Sequence, residues 1–303
     1  MAHSHVLTGA YLSPAHPTVR TIGMADIKDA LRRGVDDFLA MPSHAAFLCV
    51  IYPIIGLLIG RWIIGANVLP LLFPLVAGFT LIGPVAALGL YEMSRRREKG
   101  LDASWQHVLE IRNSPSLGPI AALGGLLLVI FFIWIAAAQA IYVATFGYTP
   151  AASIPHFLTQ VFTTPEGWTL ILIGNLVGLL FALVVLTISV VSFPLLLDRD
   201  VGVAGAILTS IRAVLANPLA MAVWGLIVAA LLVMGSLPLF LGLTVVLPIL
   251  GHATWHLYRK VVAADDSPPA EPRPRPSRGQ RYAAEFPASL FTGQRSRTRD
   301  DVQ

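Results

Sequence analysis

The sequence predicts an all-α, polytopic membrane protein, and three observations lead there. Of its 303 residues, 55% are hydrophobic and only 13% are charged, against about 25% charged in an ordinary soluble domain. Apolar runs recur at lengths that can cross a bilayer. The basic residues collect between alternate runs, as topology requires, instead of being spread evenly.

Residues 1–24 are read as a disordered N-terminal segment, 25–262 as the membrane domain and 263–303 as a disordered Pro/Arg-rich tail. The first twenty residues lack the basic start and apolar core of a cleavable signal peptide, so the first apolar run is expected to remain as a span. A helix crossing about 30 Å of hydrocarbon needs roughly 20 mainly apolar residues. Six segments meet this: Ala45 to Ile64, Leu69 to Tyr91, Gly118 to Phe146, Gly167 to Leu197, Pro218 to Met234 and Leu237 to Tyr258. The last two share one long apolar stretch, divided here at Gly235-Ser236-Leu237-Pro238.

Six spans place Lys28, Arg32, Arg33, Arg95, Arg96, Arg97, Lys99, Arg112, Arg199, Arg212, Arg259 and Lys260 on one side, and only Arg61 opposite. Basic loops resist translocation, so the rich side is cytoplasmic and holds both termini. The loop 147–166, without Lys or Arg, is external.

Each odd-numbered span follows a polar segment ending in proline: Met41-Pro42, Ser114-Pro115 and Asn217-Pro218. Four residues before each proline stand Phe38, Ile111 and Val214; seven before stand Val35, Val108 and Ile211. Apolar residues so spaced share a helical face, which predicts a cytoplasmic amphipathic helix before each turn inward. Asp26 is the expected cap of the first, with Asp29 in its first turn. The pattern suggests a threefold repeat of interfacial helix, proline turn, outward span and return span. The competing explanation is that any loop entering a membrane looks this way.

Within the spans, Gly56/Gly60 and Gly174/Gly178 form two G-x-x-x-G pairs, a pattern for close helix packing, within the chain or at a homo-oligomer seam. No Asp, Glu, Lys or Arg lies deep in a span, which argues against ion-coupled transport. Gln139 and Asn175 are the uncharged polar residues that would line a substrate path, with interhelical hydrogen bonding as the alternative. His252 and His256 share a face at the cytoplasmic end of the last span, and His44 opens the first; together they are the candidate metal or haem ligands. Set against that, they sit like interfacial residues beside Trp255 and Tyr258. His252-Ala-Thr-Trp-His256 lacks the glutamate of a zinc-protease helix. Asp198-Arg199-Asp200 reads as a local charge cluster, paired with backbone or with Arg212. The single cysteine, Cys49, excludes an internal disulfide. No phosphate loop, dinucleotide fingerprint or nucleophile elbow is present, so no catalytic residue is assigned, no cofactor is expected and the chain is read as leaning away from an enzyme. Seven arginines lie in the tail and most other basic residues flank apolar runs, which suits anionic lipid rather than nucleic acid.

The motifs Leu31-Arg-Arg-Gly-Val-Asp-Asp-Phe38, Met41-Pro-Ser-His44, Tyr91-Glu-Met-Ser-Arg-Arg-Arg-Glu98, Phe193-Pro-Leu-Leu-Leu-Asp-Arg-Asp200 and Gly251-His-Ala-Thr-Trp-His-Leu-Tyr-Arg-Lys260 carry a resemblance. Over residues 25 to 262 the chain resembles an uncharacterised family of bacterial integral membrane proteins, a domain of unknown function whose members are sometimes labelled cytochrome c oxidase subunit I-like. That subunit resembles a twelve-span core with deep histidine ligands, which this chain does not share. The resemblance implies a bacterial inner membrane and brings no activity with it. The leading expectation is therefore a non-enzymatic structural, assembly or accessory component, partnered by the lipid bilayer and by a protein of a membrane complex or a second copy. A permease for a neutral or lipid-like substrate is the alternative, and a haem or metal protein the third reading.

Overall fold

A computed structural model describes residues 17–41, 54, 74–75, 83–103, 116–148, 153–238 and 240–264. The described residues are helical, with no strand among them beyond one isolated antiparallel bridge between Val19 and Val262. Apart from the single turn Gly83–Ala86, the described helices are α1 (Met24–Ala40), α2 (Leu88–Glu98), α3 (Leu117–Phe146), α4 (Ile154–Thr163), α5 (Pro165–Ser189), α6 (Ser192–Asp198), α7 (Gly202–Ala216), α8 (Pro218–Ser236) and α9 (Leu243–Val261). Among the described residues, three stretches are long and apolar enough to cross a membrane: Leu117–Phe146, Pro165–Asp198 and Pro218–Ser236. They correspond to the third, fourth and fifth expected spans. The first expected span lies outside the described residues except for Ile54, and of the second only residues 74–75 and its last part, leading into α2, are described.

Local chemistry explains the boundaries. The α1 cap is Gly23, not Asp26: the Gly23 N–H donates to Asp26 Oδ2 at 2.9 Å, so the aspartate serves from the third helical position instead. The break between α5 and α6 follows from Pro194, which has no N–H to continue the ladder. Near it the hydroxyls of Thr187, Ser189 and Ser192 turn back onto the carbonyls four residues before them, at 2.7, 2.6 and 2.6 Å. The chain between α8 and α9 reverses over 237–242, slightly later than expected. There Phe240 takes φ +64°, and Gly235 and Gly242 meet so closely that a Cβ on Gly242 would lie 2.8 Å from Gly235 Cα. α9 contains Pro248 and ends in Arg259 and Lys260.

Two of the three proline-terminated segments are described, as α1 and α7. With Pro218 aligned on Pro42, the buried positions of α1, Ile27, Ala30, Gly34 and Asp37, coincide with Val203, Ala206, Ser210 and Ala213 of α7. Both helices end in the same backbone turn, Met41 at φ −135°, ψ 43° and Asn217 at φ −132°, ψ 50°. Proline forces this, since it disfavours the helical region for the residue before it. The corresponding residues 104–115 lie outside the described ones.

Packing gives the layout. α1 lies along α9, and α7 along α5 and α6. α3 pairs with α5, and α8 with α9. The C-terminal parts of α2, α6 and α9 all meet, and the core is densest among them: Met93, Phe193, Leu195, Leu196, Trp255, Leu257 and Tyr258 are fully buried. Of the segment before α1, residues 17–23 are described, and they are held in place. Arg20 N–H donates to Val261 O at 2.7 Å, Ala263 N–H to Thr18 O at 2.9 Å, and Ile22 N–H to Asn217 Oδ1 at 2.7 Å.

Candidate functional site

The sequence places an acid on the buried face of α1. Ile27, Ala30 and Gly34 set the stripe that packs on α9, and Asp37 is its next member, 5% exposed. The approach is close because Gly34 has no side chain; a Cβ there would lie 2.6 Å from Ala253 Cβ. Gly251 does the same on the other side of α9, where a Cβ would lie 2.5 Å from Leu90 Cδ1. Two glycines thus draw α1 and α2 onto opposite faces of α9.

Between the three helices lies a hydrogen-bonded chain. His256 Nε2 stands 2.9 Å from Asp37 Oδ2. Ser94 Oγ donates to the same oxygen at 2.6 Å, and His252 Nδ1 is 2.8 Å from Ser94 Oγ. Arg97 pairs with the other carboxylate oxygen, Oδ1. A hydroxyl has one proton and Ser94 gives it to Asp37, so His252 Nδ1 is the donor to Ser94. Its Nε2 is buried and within hydrogen-bond geometry of no partner. Burial pushes the Asp37 carboxyl upward, but the bonds from His256 and Ser94 outweigh it and hold the group below the usual carboxylate range.

A second network joins α2, α6 and α9. Glu92 pairs with Arg95 at 3.0 Å and Arg96 at 3.6 Å. Asp198 accepts from Tyr258 OH at 2.9 Å and faces Arg95, Arg259 and Arg199 at 3.6, 3.5 and 3.9 Å. Glu98 accepts from Trp255 Nε1 and from Arg259, both at 3.0 Å. The Asp198 cluster is therefore paired across helices, and Arg199 donates to the backbone carbonyl of Ala263. On the flank, Lys260 bridges to Asp29 at 2.9 Å and Asp26 at 3.3 Å, which with Arg32 and Arg33 holds Asp29 well below the usual range.

The expected site residues distribute unevenly. His252 and His256 come together, each committed to a neighbour, Ser94 and Asp37, while His44 lies outside the described residues. Among the described residues no group of three or more His, Cys, Asp or Glu is arranged to hold a metal ion. Gln139 and Asn175 are both exposed and not enclosed by the described residues. Asn175 donates to its own helix at Ile171 O, 2.7 Å away, flanked by exposed Leu172, Leu176 and Leu179. Of the glycines, Gly178 packs against Trp134, where a Cβ would come within 3.2 Å, and Gly174 faces open space. Gly56 and Gly60 lie outside the described residues. Sequence reasoning missed Asp37 and Ser94. The available signal was an acid continuing the apolar stripe of α1.

No curated protein and no solved structure gives a significant match to the chain. Residues 72–198, which contain α2, α3, α4, α5 and α6, match the sequence profile described as "Predicted integral membrane protein (DUF2189)". With membrane-length helices on the same stretch, that match marks this chain as an integral membrane protein that matches an uncharacterised family.

Proposed function

We propose that the chain is a non-enzymatic membrane component, a structural, assembly or accessory subunit that presents its basic end to a partner. One observation carries this reading: the buried carboxylates of Asp37 and Glu92 and the partly buried one of Asp198 are each held by cations from other turns or helices over an apolar and aromatic core. An acid engaged in this way is poorly placed to move a proton or attack a substrate. A transport path would need an opening through the same end, where Trp255, Tyr258 and Phe193 fill the space between α2, α6 and α9. What the arrangement does well is hold helix ends in fixed positions, the requirement for a docking platform.

In the same proposal the basic end is cytoplasmic, the membrane is a bacterial inner membrane, and the chain crosses it six times in three related units. The matching burial registers of α1 and α7 support the repeat. So does their packing: α7 lies on the return helices of the preceding unit and α1 on that of the last, the pattern of a closed ring.

The test is purification from the native membrane in mild detergent, with mass spectrometry of co-purifying proteins and a visible absorption spectrum. A stoichiometric protein partner supports the proposal. A solitary, colourless protein shifts the weight to a permease, and a Soret band to a haem protein using His44, His252 and His256.

A further inference from the structure

The 147–166 connection contains an element that the hydropathy pattern does not announce. α4 is a ten-residue helix between two membrane-length helices, and its joint to α5 is rigid. Thr164 Oγ1 accepts the Gly167 N–H at 3.1 Å and donates to Gln160 O at 2.8 Å, closing the end of one helix and the start of the next. Gly167 sits so near α4 that a Cβ would lie 2.3 Å from Val161 O. From below, the Phe157 ring packs on Tyr142 and Phe146, at centroid distances of 6.2 and 6.3 Å. α4 therefore has a fixed orientation.

That orientation divides the helix into three sectors. At about 100° per residue, Phe157 and Val161 form the sector packed on the protein, with Val161 buried. Next to it, Leu158 and Phe162 form a second apolar sector, 47% and 60% exposed. His156, Thr159 and Thr163 make up the polar remainder, all exposed. Trp168, one turn into α5, adds a further exposed ring, 52% exposed. The 25 residues of α5 alone extend about 37 Å at 1.5 Å per residue, more than the hydrocarbon thickness of about 30 Å. α4 thus stands at the opposite membrane surface from the charged end.

We propose that α4 is an interfacial helix whose Leu158 and Phe162 are inserted among the acyl chains of the leaflet opposite the basic end, with Thr159 and Thr163 in the headgroup layer. The occupant of this apolar sector is lipid. Residues 147–166 carry no Lys or Arg, so the insertion depends on apolar area and not on headgroup charge. The sectors also explain why a helix forms here at all: in a bilayer interface, half of its apolar arc is covered by protein and the other half by lipid.

The experiment uses the full chain in a Cys49→Ser background, with Leu158→Cys, Phe162→Cys, Thr159→Cys and Thr163→Cys made singly. Each is spin-labelled, checked for a monodisperse elution profile and reconstituted in phosphatidylcholine, with or without phosphatidylglycerol. Collision with oxygen and with a neutral nickel chelate is then measured. All four positions are exposed, so the labels displace no core contact. The expected result is an oxygen-to-nickel accessibility ratio several-fold higher at 158 and 162 than at 159 and 163, unchanged by the anionic lipid. Nickel access at 158 and 162 equal to that at 159 and 163 overturns the proposal, because the sector then faces water. Low access to both reagents at 158 and 162 also overturns it, because protein then covers the sector.

Discussion

Asp37 and His256, 219 positions apart in the chain, meet with 2.9 Å between Oδ2 and Nε2. The contact joins the first described helix to the last, and Ser94 and Arg97 add the second described helix to the same carboxylate.

Removing that carboxylate leaves Arg97, His256 and Ser94 without their acceptor at an apolar seam. Asp37→Ala is expected to lower stability by about 1 to 3 kcal/mol, the cost of stranding buried hydrogen-bonding groups, with the partly exposed Arg97 adding little. Asp37→Asn keeps a hydrogen-bonding group in place and should cost less. Thermal unfolding of the purified variants in one detergent checks the order; an alanine variant as stable as wild type would mean the pair contributes nothing net.

The same group sets a response to acid. Its carboxyl is held below the usual range in the fold, so it favours the folded state wherever the unfolded chain would be ionised, above about pH 4. That contribution is lost as pH falls through the lowered value. Wild-type melting temperature should therefore fall more steeply than that of Asp37→Asn below about pH 4, the two curves converging. Asp26 and Asp29 are lowered as well and are retained in both proteins, so the difference reports Asp37.

The α1–α9 seam depends on a missing methyl group. Gly34→Ala puts a carbon within 2.6 to 2.8 Å of Ala253 Cβ, N and Cα, and is expected to cost about 1 to 3 kcal/mol. Adding Ala253→Gly should restore little, because two of the three clashing atoms are backbone. Full rescue in the double variant would show that the helices can slide.

Asn217 is buried and holds three backbone groups: it accepts from Ile22 N–H and donates to Arg20 O and Ala213 O, the last two at 3.0 Å. Asn217→Ala strands those groups, at about 1 to 3 kcal/mol for each that stays buried. Trypsin should then cut after Arg20 markedly faster in the variant. Equal cutting rates would mean that the bridge to Val262 suffices to hold the segment.

Much of the fold was legible because it rests on local patterns. Proline at 218 and the apolar period around it locate α7 and α8 closely, whereas the face expected for α1 from Val35 and Phe38 is not the buried one: Val35 is exposed, and the buried stripe runs through Ile27, Ala30 and Gly34. The candidate site was legible only in part. The i, i+4 spacing of His252 and His256 showed that they share a face, but not what faces them. Their partners, Asp37 and Ser94, are set by the packing of three helices distant in sequence, and such packing depends on contacts made by Gly34 and Gly251, which carry no side chain to read. α4 escaped because its ten residues are too short for a span and its apolar arc is wider than one buried face needs.

The Val19–Val262 bridge also constrains parts of the chain far from it. Backbone groups that hydrogen-bond to each other must share one aqueous layer, so the path between these two residues leaves that layer as often as it returns. Three membrane-length helices would end that path on the wrong side. A reporter fused after Val262 is therefore expected to give the same side as one fused before Val19.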